Sequence, residues 1–119
     1  MNDEKKRKFS ERMEALNKKY CDQLPEKYSE IESSWIAYQA DLKNESALEL
    51  FYRLIHTFKG TAATFGFVRQ ADICFDIQKI LMSVKDDGQI LTASLADQIQ
   101  EHVQDLKKNI NSPAQEIED

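Results

Sequence analysis

With 119 residues, 41% of them apolar and 31% charged, the chain fits one domain with a core of its own and is too apolar to be a disordered segment. Its formal net charge of -5 argues against nucleic acid or an anionic membrane surface as a partner, both of which call for a basic face. The two cysteines, Cys21 and Cys74, lie too far apart to suggest a disulfide framework or a zinc site.

The first predicted helix covers about residues 3–21, with Phe9, Met13, Leu16 and Tyr20 on one stripe. The basic run Lys5-Lys6-Arg7-Lys8 reads as its solvated start. Asp22 offers a cap, and Pro25 is tolerated in the first turn of a second helix carrying Leu24, Tyr28, Ile31, Trp35, Tyr38 and Leu42. Asn44-Glu45-Ser46 interrupts the pattern with capping chemistry. A third helix then runs to about Thr64 on Ala47, Phe51, Leu54, Phe58 and Ala62, and Gly66 ends it. The fourth, from about Val68 to Val84, places Cys74, Ile77, Leu81 and Val84 on a stripe before the turn Lys85-Asp86-Asp87-Gly88. A last helix begins near Thr92 or Ser94, carries Leu95, Ile99, Val103, Leu106 and Ile110, and stops at Asn111-Ser112-Pro113.

The expected fold is therefore all-α: an antiparallel four-helix bundle, its core over about residues 24–110, with an additional N-terminal helix and a polar tail or linker over residues 111–119. The whole of 1–119 reads as a single domain. A strand-containing fold seeded at Thr64–Val68 and Gln89–Leu91 is the rival, and both stretches are too short and isolated to favour it. No apolar run approaches the length of a membrane span, and the charged N-terminus lacks the apolar centre of a signal peptide, so a reducing cytoplasm is expected.

One residue stands out by its position. His56 lies two residues past Leu54, about 200° around the helix, on the strip of Glu49, Tyr52, Arg53, Lys59, Gly60 and Ala63. A core histidine would share the face of Phe51, Leu54 and Phe58. Gly60 follows one turn later, inside the helix, where glycine costs roughly 1 kcal/mol relative to alanine. The missing side chain clears space beside the imidazole. Lys59, at i+3, brings a cation to the same spot, as an incoming phosphoryl group would require. Arg53, at i-3, offers either a second phosphate contact or a surface ion pair with Glu49.

The run His56-Thr57-Phe58-Lys59-Gly60-Thr61-Ala62-Ala63-Thr64-Phe65-Gly66 resembles the signature of histidine-containing phosphotransfer (HPt) domains: His, any residue, an apolar residue, Lys, Gly, two small residues, two variable ones, an apolar residue and Gly. The likeness extends to Leu24-Pro25-Glu26 and Ile77-Gln78 and covers about residues 24–110. It departs at Gln70, where the family usually has an apolar residue. The resemblance implies a phosphorelay carrier rather than an enzyme. His56 would accept the phosphoryl group on its ε2 nitrogen, Gln78 would hold the δ1 nitrogen, and Lys59 would offset charge on the transferring oxygens. Partners would be response-regulator receiver domains, that of a hybrid sensor kinase among them. The chain would act as a monomer with no cofactor of its own, the Mg2+ residing on the receiver. The alternative is a helical interaction module that is never phosphorylated, which would need neither His56 nor Gly60. An enzyme is disfavoured by the lack of a nucleophile elbow, phosphate loop or metal-ligand cluster, and His102, beside Val103, reads as a bundle-edge residue.

Overall fold

The computed structural model describes residues 2–113, and the tail expected beyond Pro113 lies outside them. Four helices follow one another: α1 (Asp3–Ala40), α2 (Glu45–Thr64), α3 (Val68–Asp87) and α4 (Ala93–Asn111). Short connections force an antiparallel course, and each helix packs beside the next, with α4 closing the ring against α1. Among the described residues there is no strand. The two candidate strand seeds are the α2–α3 turn and the loop before α4. No described helix is long and apolar enough to cross a membrane.

The ends of the helices follow from their sequence. Asn44 Oδ1 accepts from the Ala47 amide at 3.1 Å, and Thr92 Oγ1 accepts from the Leu95 amide at 3.2 Å, capping α2 and α4. At the end of α2 the Phe67 amide donates to the Ala62 carbonyl at 2.9 Å and the Gly66 amide to Ala63 at 3.1 Å. This paired closure needs a left-handed residue, which Gly66 supplies with φ of 80°. Gly88, with φ of 64°, ends α3 in the same backbone region, so Lys85–Asp87 form the last helical turn instead of a loop.

One expectation is overturned. The chain does not break at Asp22, and Pro25 lies inside α1 rather than in the first turn of a new helix. The reason is the continuity of the buried stripe. Tyr20, Leu24, Tyr28, Ile31, Trp35 and Tyr38 advance in unbroken steps of three and four, and all are buried. Proline removes one helical hydrogen bond and disfavours the preceding turn by about 3 kcal/mol. Burying a large side chain contributes about 1.5–3 kcal/mol, so the buried residues flanking Pro25 outweigh it. The residue itself faces solvent.

The separate N-terminal helix is thus the first half of α1. Its 38 residues reach about 57 Å at 1.5 Å per residue, which matches the 57 Å long axis of the molecule. The other helices span about 30 Å. The segment before Tyr20 therefore projects beyond the bundle, leaving Phe9 and Leu16 61% and 47% exposed.

Inside the bundle, Trp35 stacks on Phe51 of α2 with centroids 5.2 Å apart and donates from Nε1 to Gln100 Oε1 of α4 at 2.8 Å. Gln70, the departure from the apolar pattern, is fully buried on α3, and its Oε1 accepts from the Tyr20 hydroxyl at 3.0 Å. The ring of Tyr20 stacks in turn on Phe65 at 5.0 Å and lies 5.1 Å from Phe67. This cluster pins the middle of α1 to the α2–α3 turn and so fixes where the C-terminal half of α2 lies.

Candidate functional site

α2 buries Phe51, Ile55, Phe58 and Ala62, and that choice of face decides what it shows to solvent. The inward stripe runs through Ile55, with Leu54 half-buried, so the face is rotated slightly from the sequence expectation. His56, next to Ile55, points outward and is exposed. The helix leaves the imidazole on an open surface beside α3.

Gly60 is exposed one turn beyond. A Cβ placed there would meet nothing within 4 Å. Packing within the chain therefore does not demand glycine, although a helix interior disfavours it by about 1 kcal/mol relative to alanine.

The four cations near this strip, Lys59, Lys79, Arg53 and Lys85, are all engaged. The Lys59 ammonium lies over the Phe75 ring of α3, 5.1 Å from its centroid, and Lys79 lies 4.9 Å from the same ring. Phe75 is nevertheless 47% exposed. Arg53 Nε sits 3.7 Å from Glu49 Oε1 and remains well exposed, the surface pair that was one of its two readings. Lys85 Nζ of α3 binds Glu49 Oε2 at 2.8 Å. That contact, followed by Arg53, holds the Glu49 carboxyl below its usual range.

Gln78 does not take the place that the resemblance implies for it. It is buried on α3, with its Nε2 donating to the Tyr52 hydroxyl at 3.2 Å and its Oε1 without a hydrogen-bond partner. The polar group that reaches the α2–α3 seam is the half-buried phenol of Tyr52, not the exposed imidazole. Tyr52 lies at i-4 to His56. The two rings are almost parallel, at 7°, with centroids 6.1 Å apart. Lys85 Nζ lies 4.1 Å from the Tyr52 ring centroid. The structure thus brings His56, Tyr52 and Gln78 into one chain of contacts. Sequence reasoning placed Tyr52 on the strip without giving it a part. Its i-4 spacing to His56 was the available signal, whereas the contributions of Phe75 and Lys85 depend on how α3 packs.

Among the described residues no group of three His, Cys, Asp or Glu side chains is placed to hold a metal ion. His102 is half-buried on α4, lining a shallow groove with Asp76, Lys79 and Ser83.

Comparison with known proteins fits this fold. The Hpt domain family profile matches residues 15–109. Among solved structures, the CheA phosphotransferase domain from Thermotoga maritima superposes with a TM-score of 0.71 at 22% identity, over 83% of this chain and 93% of that one. No curated protein sequence matches the chain. The chain belongs to the Hpt domain family, the histidine-containing phosphotransfer domains, and serves as a carrier in histidine phosphotransfer.

Proposed function

We propose that His56 is the phosphoacceptor, taking a phosphoryl group from the phospho-aspartate of one receiver domain and passing it to the aspartate of another. The observation that carries this reading is an exposed imidazole on the polar side of α2 with an open glycine, Gly60, one turn away. In the transfer, the lone pair on Nε2 attacks phosphorus. An N–P bond forms, the P–O bond to the aspartate breaks, and its electron pair returns to the carboxylate. The proton stays on Nδ1, and the ring becomes a phosphorylated imidazolium. Transfer onward reverses these changes.

Lys59 supports the transfer from over Phe75, where a swing of its flexible stem brings the ammonium to the phosphoryl oxygens. Gly60 admits the receiver to the imidazole. Gln78 acts at the seam behind the histidine. Arg53, paired with Glu49, contributes at most a phosphate contact after exchanging partners. Phe75 and Met82, 47% and 43% exposed on one stripe of α3, supply apolar surface for docking. The receiver brings the Mg2+ and most of the catalysis, so the chain is a phosphocarrier rather than an enzyme. It works as a monomer in the cytoplasm, and the receiver of a hybrid sensor kinase is one candidate donor.

The test is phosphotransfer profiling with His56→Gln. Wild type gains acid-labile phosphate from a phosphorylated receiver, and the variant gains none. Labelling of the variant at the wild-type rate would remove His56 from the mechanism.

A further inference from the structure

We propose that Tyr52 is the positioning residue of His56, and that Gln78 acts on the histidine through the Tyr52 hydroxyl rather than by binding the imidazole. The proposal rests on the reading of His56 as phosphoacceptor.

An imidazole exposed on a helix turns freely about its last torsion, whose energy wells are broad. In-line attack needs the Nε2 lone pair held in one direction, and a loose ring loses rate without losing any contact to the partner. Among the described contacts, the Tyr52 ring is what orients His56. It lies one turn back on the same helix, at 7° to the imidazole plane and 6.1 Å between centroids, an offset stack.

A ring can orient its neighbour only if it is itself held. Tyr52 is held two ways, and the second hold is itself braced. Its hydroxyl meets the buried amide of Gln78 at 3.2 Å. The Lys85 ammonium lies 4.1 Å from its ring centroid. That ammonium is in turn fixed by Glu49, one turn before Tyr52 on α2, at 2.8 Å. The Gln78 contact is robust to the orientation of the amide. A phenol both donates and accepts, so the side chain bonds Tyr52 through either end. The sequence Gln78, Tyr52, His56 therefore links the α3 backbone to the plane of the reactive ring in two contacts. It also accounts for a buried glutamine beside a histidine it does not touch.

The proposal makes Gln78 and the Tyr52 hydroxyl one functional unit, which a double-mutant cycle reads directly. The experiment uses the full chain and a Mg2+-loaded receiver domain phosphorylated on its aspartate, with single-turnover transfer followed as a function of receiver concentration. Tyr52→Leu removes the stack and lowers the saturating rate about tenfold or more, while the half-saturating concentration changes little. Tyr52→Phe keeps the stack and retains most of the rate, a rescue that a purely steric role for the hydroxyl would not give. Gln78→Leu slows transfer by the same smaller factor as Tyr52→Phe, and the double variant is no slower than either single one. Thermal unfolding of each variant separates a loss of rate from a loss of fold. If wild type takes no phosphoryl group on His56, the phosphocarrier reading fails. If wild type does, and Gln78→Leu slows the Tyr52→Phe chain as much as it slows wild type, that reading stands and the coupling through Tyr52 is overturned.

Discussion

Gln70 and Gln78 lie two turns apart on α3, and each meets a tyrosine hydroxyl from another helix. Gln70 is fully enclosed, accepting from Tyr20 of α1 with Phe65 and Phe67 packed on the tyrosine ring. Gln78 sits at the rim, donating to Tyr52 of α2, whose ring faces His56. The bond is much the same, and the surroundings give it different work. In the core the pair satisfies polar groups that burial would otherwise leave unpaired, so it governs stability. At the rim the same pair ends on the exposed ring of His56, where its proposed work is orientation. Breaking the first pair should move the melting curve, and breaking the second should move the transfer rate.

The largest effect is expected at Tyr20. Tyr20→Ala empties a buried ring site and destabilises the fold by about 3–5 kcal/mol, yet the folded fraction transfers phosphate at the wild-type rate. Urea unfolding with parallel transfer assays checks both halves. Tyr20→Phe keeps the ring and strands Gln70 Oε1, for a loss of about 1–3 kcal/mol. Gln70→Leu is milder, because Gln70 Nε2 already lacks a partner and is removed with it. A core pair that altered the transfer rate of folded protein would erase the distinction.

Gly60→Ala sharpens it from the other side. Nothing in the fold opposes the added methyl, so the variant gains about 1 kcal/mol of stability while transfer from a receiver slows. Stability and function then move in opposite directions at one position beside His56.

Alkaline pH addresses the tyrosines. Burial pushes the Tyr20 phenol well above its ordinary value of 10, and burial with the bond to Glu32 raises Tyr28 to about 12. A raised folded-state value means that these groups contribute fully below pH 10. That contribution is lost as pH rises from 10 through 12. Denaturation midpoints at pH 8 and pH 11 should show the fall, and Tyr20→Phe should reduce it.

The smallest effect concerns Cys74, one turn from each glutamine. Burial raises its thiol to about 12 and encloses it completely. In native protein at pH 8, iodoacetamide should label the half-buried Cys21 first, with Cys74 reacting only as the bundle opens.

Much of this was legible in the sequence. The stripes of α2, α3 and α4 gave their helices to within a turn, because an amphipathic helix in a bundle must bury the face its periodicity marks. The sequence reads as two helices where α1 is one because Asp22 and Pro25 are local signals, whereas the stripe from Tyr20 to Tyr38 acts over five turns of packing. His56 was legible because leaving the apolar stripe is itself a local fact. The partner of Gln78 was not, since it depends on which α2 side chain reaches the seam, and neither was the buried acceptor that makes Gln70 tolerable in the core.

The central claim is that one histidine carries the phosphoryl group, and on one nitrogen. The most direct measurement is a heteronuclear NMR spectrum of the chain, labelled with nitrogen-15 in its histidines, before and after phosphorylation by a receiver. The account predicts that the His56 resonances shift with an N–P coupling at Nε2, while His102 stays unchanged. Coupling at Nδ1 of His56, or at either nitrogen of His102, would contradict it.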